Sequence, residues 1–313
     1  MSRDQIEHEP VLCGALMACV APKPGEVVVD TTLGHGGHAR LMAEAIGAAG
    51  RLIGLDVDEY NLARAKAKLE SAGLLQGGPH VDLIRSNFAA LGEVLDRLGI
   101  GKVDVILADL GLSTDQLLDE TRGLTFIESG PLDMRLDDRL TETAADLVNS
   151  SNERELADLI YGLSQERASR RIAKRICEAR RERPIRTSAE LVRIVCSALG
   201  VSAKSRPGRL HPATRTFLSL RMAVNHELEN LTALLEQAPM RLSPDGRIAV
   251  ISFHSGEDRV VKRDFLAHQR LGVYVVRTKK PIRPSSEEVR FNPRSRSAKL
   301  RVAVRTVDAQ EVA

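Results

Sequence analysis

A chain of 313 residues that is 43% apolar can bury one large α/β core or two smaller ones. Forty-five Lys or Arg against 42 Asp or Glu leave a net charge of +3, so bulk charge argues neither for nor against a polyanionic partner and placement has to decide. No apolar run reaches the roughly 20 residues of a membrane-spanning helix, and 3% aromatic content without Trp leaves few rings for base stacking, so a nucleic-acid site would lean on Arg.

The first third alternates strand-like and helix-like stretches. EVVVDTTL (26–33), RLIGLDVD (51–58), VDLIRSN (81–87) and VDVILADLG (103–111) read as strands, with helices predicted over 37–47, 59–72 and 88–98. That order is βαβ grammar and predicts a doubly wound parallel sheet. From 113 to 235 there is no strand pattern; helices are predicted over 153–163, 166–183, 188–199 and 216–238. Strands return at 246–253, 272–278 and 299–306, with a helix at 256–269; the last two strands are expected to follow each other without a helix, as an antiparallel edge. The expected fold is α/β, a doubly wound, mostly parallel sheet (1–113 and 214–313) interrupted by an all-helical domain (114–213). Cys13, Cys19, Cys177 and Cys196 have no metal-ligand spacing and no apolar leader precedes them, which predicts a cytoplasmic protein without a metal site.

The turn after the first strand, GHGGHA, satisfies G-x-G-x-x-A at Gly34, Gly36 and Ala39, and Asp56 ends the second strand. Glycines let backbone approach a ligand, the following helix start offers N–H groups to an anion, and the acid suits ribose hydroxyls. The spacing fits a dinucleotide and S-adenosylmethionine equally. Phe88, after the third strand, either faces an adenine or packs in the core. Asp109 ends a hydrophobic strand at the edge where open α/β sheets bind ligands, or else caps the next segment. Residues 166–186 hold nine Lys or Arg against three Glu, among them Arg171 and Arg175, a density that suits phosphates or a solvated helix face. His211 and Arg215 in HPATRTF, with Ser252 and His254 at the end of the fifth strand, are further substrate-contact candidates.

HEPVL (8–12), GHGGH (34–38), LADLGLSTDQL (107–117), GPLDMRLD (130–137), HPATRTF (211–217), SFHSGEDRVVK (252–262) and NPRSRSAKLR (292–301) occur in this order. Together they resemble the MraW family of S-adenosylmethionine-dependent methyltransferases, which modify the N4 amine of a cytosine in the decoding region of small-subunit (16S) ribosomal RNA. The resemblance implies a Rossmann-like methyltransferase fold, S-adenosylmethionine as cofactor, and 16S RNA, within the small ribosomal subunit, as partner. It also implies cofactor contacts by Gly36, Gly37, His38, Asp56, Phe88, Asp109 and Gln116. Asp109, or a carbonyl beside it, is the candidate acceptor for the amine's N–H groups. Departures are LSTDQ for VSSPQ, GLTF for GFSF at 123–126, and Gly256 where the family has Leu; the segment after Gln269 is also short, which puts RNA contacts there in question. Two other classes stay open on the residues alone: a nicotinamide-dependent dehydrogenase, for which no hydride-transfer pair is evident, and a non-catalytic RNA-binding protein.

Overall fold

The computed structural model describes residues 10–125, 130–203 and 211–307. His8 and Glu9 of HEPVL and Phe126 of GLTF lie outside these. The chain divides into two compact units, Met1–Gly111 with Leu228–Ala313, and Leu112–Glu227. The first boundary falls near the expected one. The second falls 14 residues beyond the expected return at 214, for a reason visible in the helical unit.

In the first unit, α1 (Cys13–Val20) precedes β1 (Val27–Asp30), α2 (Gly37–Ile46), β2 (Arg51–Asp56), α3 (Glu59–Ser71), the short α4 (Leu74–Gly77), β3 (His80–Arg85), α5 (Leu91–Arg97) and β4 (Val103–Asp109). The helical unit then contributes α6 (Thr114–Leu118), α7 (Ala144–Ser150), α8 (Glu153–Ser164), α9 (Ser169–Glu182), α10 (Ser188–Leu199) and α11 (Thr214–Val224). The chain returns through α12 (Glu227–Arg241), β5 (Leu242–Ser252), α13 (Ser255–Arg270), β6 (Tyr274–Val276), α14 (Ser286–Phe291) and β7 (Lys299–Arg305).

The seven strands lie in the order β3-β2-β1-β4-β5-β7-β6. β1 to β5 are parallel, and β7 runs antiparallel to both β5 and β6. This is the doubly wound, mostly parallel sheet that the sequence leads one to expect. Successive residues of β1 point to opposite cores: Val28 packs with Leu16 of α1 and Met42 and Ile46 of α2, whereas Val29 packs with Leu91 of α5, Leu234 of α12 and Phe265 of α13. Both faces being covered, the strands read as continuous hydrophobic runs rather than alternations. The expected antiparallel edge is present. It differs from expectation in that α14 and a 3-10 turn (Pro293–Ser297) lie between its strands, within a stretch whose prolines and serines conceal them.

The helical unit packs around Leu156, Ile160, Ile172, Ile176, Leu191 and Leu220, all buried. The helix predicted over 216–238 is two helices. Asn225 ends α11 because its side-chain amide is committed to the 134–136 loop: Oδ1 accepts the Leu136 N–H at 2.7 Å and Nδ2 donates to the Met134 carbonyl at 2.8 Å. His226 then takes a left-handed φ of 50°. α11 packs on α8 through Ser219, whose hydroxyl bonds Ser164 Oγ at 2.7 Å, and this keeps residues 214–224 in the helical unit. Among the described residues, no helix is long and apolar enough to cross a membrane.

One polar clamp joins three separate pieces of the sheet unit. Arg247 of β5 meets the Glu26 carboxylate with both guanidinium nitrogens, at 2.8 and 2.7 Å, and donates to the carbonyls of Val20 and Ala21 at the end of α1. Burial pushes the Glu26 carboxyl up, but Arg247 and the Lys23 N–H outweigh it and hold it below the usual value. Arg247→Met leaves that carboxylate without its cation, and the expected cost is about 1.5–3 kcal/mol, the scale of a hydrogen bond to a charged group. A urea melt with an unchanged midpoint would show that the clamp contributes nothing.

Candidate functional site

The order of β1 and β4 makes their junction the switch point of the sheet, since the chain winds away from it in both directions. The turn 31–36 that leaves β1 there is fixed to both neighbours. The Thr31 hydroxyl and N–H both donate to the Leu107 carbonyl of β4, at 2.7 and 2.8 Å, and the Leu33 N–H donates to Leu55 of β2 at 2.8 Å. Thr32 Oγ1 accepts the N–H of Asp109, and the Thr32 N–H donates to Asp30 Oδ1 at 3.2 Å. The backbone at the switch point is thus built by the protein's own hydrogen bonds.

The glycines of this turn have reasons within the chain. Gly36 sits at φ 74°, and a Cβ there would come within 3.0 Å of Ala65; at Gly37 a Cβ would lie 2.7 Å from Pro10 Cγ. Side chains at either place would push away α3 or the segment that precedes α1. No side chain caps α2, so its N-terminal N–H groups are available to an anion.

Asp56 lies at the end of β2 as expected, but it is largely occupied. Its carboxylate accepts the N–H of Gly34 at 2.8 Å, that of Asp58 at 2.9 Å and the Asn61 side chain at 3.2 Å. An ionised carboxylate has about four acceptor positions, which leaves roughly one for a ligand. Burial raises this carboxyl to about 6 against the pull of those donors. Phe88 begins a 3-10 turn whose first bond is Ala89 N–H to Asn87 Oδ1 at 2.9 Å; the ring is half-buried against the α5 side of the sheet.

His38 and Asp109 meet across the switch point. His38 Nε2 lies 3.4 Å from Asp109 Oδ2, an ion-pair contact rather than a well-directed hydrogen bond, with the imidazole almost wholly buried. On its other side Nδ1 is 3.9 Å from Cys13 Sγ, and that thiol donates to the Pro10 carbonyl at 2.9 Å. Burial alone would pull the His38 pKa down; the carboxylate and the thiol outweigh it and raise it to about 10, so the ring is cationic at neutral pH. Asp109 Oδ1, also buried, has no hydrogen-bond partner among the described residues.

Asp30 completes the group and was not among the sequence candidates. It is 1% exposed, and burial raises its carboxyl to about 7, with His38 opposing and Asp109 and Asp56 adding to the rise. The signal was present in the sequence: VVVD ends a hydrophobic strand in a carboxylate just as VILAD does. Cys13 could have been found only through the HEPVL stretch it follows.

Of the remaining candidates, Ser252 and His254 make other contacts within the sheet unit, and Gln116, His211, Arg215, Arg171 and Arg175 belong to the helical unit. Gln116 belongs to the helical unit, where its side chain accepts the Ser113 N–H at 3.0 Å in the capping box of α6. Ser252 is 1% exposed and donates to the Lys299 carbonyl of β7, so it braces the sheet instead of facing a substrate. His254 caps α13: its Nδ1 accepts from Gly256 and Glu257, and its Nε2 is 3.1 Å from the Glu257 carboxylate. His211, nearly buried, accepts the Ala213 N–H at 3.2 Å and has its other ring nitrogen 2.9 Å from the Ala203 carbonyl. Arg215 is exposed, 3.9 Å from Glu166. Arg171 and Arg175 stand on the exposed face of α9 with Arg170, Lys174 and Arg181, opposite the buried Ile172 and Ile176; of these five, Arg175 has an ion pair, 3.1 Å to Glu178.

The sequence profile of the MraW methylase family matches residues 5–306. The ribosomal RNA small subunit methyltransferase H of Koribacter versatilis is 44% identical over 304 residues, covering 96% of this chain and 95% of its own. Those of Sorangium cellulosum and a Cyanothece species are 45% and 46% identical, covering 98% and 97% of this chain and 93% and 96% of their own.

Asp30 and Asp56 hold protons more tightly in the fold than at the usual aspartate value of 3.8. The stability this lends is complete below about pH 4 and lost as pH rises to about 7. Asp30→Asn keeps an oxygen for the Thr32 N–H but removes the ionisation. Its melting temperature should fall less than that of the parent between about pH 5 and 7; parallel melting curves would show that Asp30 does not titrate there.

Proposed function

The chain belongs to the MraW methylase family, and from that premise we propose that it transfers a methyl group from S-adenosylmethionine to small-subunit 16S ribosomal RNA, at the N4 amine of a cytosine in the decoding region. The observation that supports this reading most is the unpartnered, buried Oδ1 of Asp109 at the switch point. A buried acceptor without a donor is costly, and the donor it lacks is what an exocyclic amine brings.

S-adenosylmethionine, when bound, supplies a methyl group on a sulfonium, and such a displacement is in line, so positioning dominates its catalysis. The residues present fit the cofactor. The uncapped start of α2, at Gly36 and Gly37, suits the carboxylate of its amino-acid end. The one acceptor position left on Asp56 suits a ribose hydroxyl, and the half-buried ring of Phe88 suits one face of an adenine. Gln116 is assigned by its place in the family motif. His38 acts through Asp109: its ring, 3.4 Å from Oδ2, holds that carboxylate in place, which makes His38 a positioning residue.

The lone pair of a cytosine amine is delocalised into the ring. An acceptor for its N–H groups favours the pyramidal form that attacks and stabilises the positive charge arriving on nitrogen, and the buried Asp109 Oδ1, without a partner among the described residues, supports the assignment of Asp109 to that role. Once methylated the nitrogen is strongly acidic and releases its proton without a tuned general base. The base has to leave its stack to reach the site, and the basic face of α9, with Arg171 and Arg175, provides phosphate contacts outside it.

Labelled S-adenosylmethionine and small ribosomal subunits from a strain lacking the enzyme should yield a single methylated cytosine; label on another base or none at all would overturn the reading. Asp109→Ala should lower turnover at saturating cofactor by roughly 10²–10³, and near-normal turnover would remove Asp109 from the chemistry. Arg171→Glu with Arg175→Glu should weaken RNA binding and make its logarithmic salt dependence shallower by about 1 to 2, without altering cofactor affinity. An unchanged salt slope would assign that face to solvent.

A further inference from the structure

The segment between β6 and β7 carries a feature that methyl transfer as described leaves unused. Residues 277–296 hold seven Lys or Arg against two Glu. One of those acids is turned inward, since the Glu288 carboxylate accepts the Leu12 N–H at 2.7 Å. Arg277, Lys279, Lys280, Arg283, Arg290 and Arg296 are exposed. The same stretch holds Phe291, the last residue of α14, 78% exposed. Among the described phenylalanines, Phe88, Phe217, Phe253 and Phe265 are buried or half-buried, and only Phe291 stands in solvent.

The patch is tied to the cofactor site by named contacts. Leu12 adjoins Cys13, whose thiol approaches His38, and Pro10 lies against Gly37. The bond from Leu12 to Glu288 therefore fastens α14 to the segment that covers the glycine turn. Phe291 follows Glu288 by three residues, a rise of about 4.5 Å along the helix.

We propose that Phe291, with Arg290 and Arg296 beside it, is a stacking platform for an unpaired base of the RNA next to the target nucleotide, the two guanidiniums holding the phosphates on either side. A flat apolar ring exposed within a cation-rich stretch is the combination that single-stranded nucleic acid selects: every base has a face to stack, and each neighbouring phosphate is an anion. The proposal rests on the RNA-methylating reading above, and places RNA contacts in a segment whose brevity put them in question.

The chain contains no Trp, so Phe291→Trp installs a single reporter fluorophore. Titration of that variant with a single-stranded RNA oligonucleotide carrying the decoding-region sequence should quench its emission saturably. Phe291→Ala should bind the oligonucleotide roughly tenfold more weakly and raise KM for small ribosomal subunits, with unchanged cofactor affinity and melting temperature; Phe291→Trp should restore binding. RNA binding that leaves the Trp emission unquenched, or an Ala variant that binds and methylates like the parent, overturns the platform while the functional reading stands. Quenching that follows protein concentration without RNA assigns the ring to self-association and overturns it too. A parent enzyme that methylates no RNA defeats the functional reading and this proposal together.

Discussion

The contact between His38 and Asp109 is the constraint on which the site depends. Three carboxylates, Asp30, Asp56 and Asp109, end adjacent or nearly adjacent parallel strands and turn toward the same edge, where the low polarity of the interior magnifies their mutual repulsion. The protein answers in three ways. Burial raises the Asp30 carboxyl to about 7, Asp56 is satisfied by two backbone N–H groups and an amide, and Asp109 is given the imidazole of His38. Of these three carboxylates, Asp109 keeps a buried oxygen without a hydrogen-bond partner among the described residues, and Asp56 keeps roughly one acceptor position beside its three donors.

That division of labour explains which parts of the site were legible in the sequence. A hydrophobic run that ends in Asp is a strong signal, because a carboxylate is tolerated there only where a strand leaves the core, and it located Asp56 and Asp109. The same rule applies to Asp30, but the glycines beside it drew attention to the turn instead. Spacing could not reveal that Asp56 is mostly consumed by Gly34, Asp58 and Asn61, since those bonds exist only after the turn has folded back onto β2. Nor could it tell Ser252 and His254, which brace β7 and cap α13, from residues aimed at a ligand. At a strand end, polarity in the sequence is the same whether its partner is backbone or substrate.

The fold was legible wherever periodicity is sustained and obscure where a single side chain overrides it. The parallel strands and α8 to α10 lie close to their predicted limits because burial on two faces or on one stripe leaves an unbroken pattern. The break between α11 and α12 leaves none: 216–238 keeps helical spacing throughout, and the chain bends because the Asn225 amide bonds the 134–136 loop. That loop has its own left-handed residue, Met134, with Asp133 and Arg135 paired at 2.7 Å on either side of it. The GPLDMRLD stretch is thus, in its visible contacts, a folding device of the helical unit.

The segment before α1 shows how binding and folding share one set of atoms here. Pro10 occupies the space a side chain at 37 would need, Cys13 reaches the imidazole, and Leu12, left-handed at φ 57°, turns its N–H to Glu288. The segment is held by what it covers: the glycine turn, the buried cation and α14. The segment is thereby joined to the glycine turn and, through Glu288, to the basic stretch before β7. In physical terms the coupling is one proline contact, one thiol and one hydrogen bond.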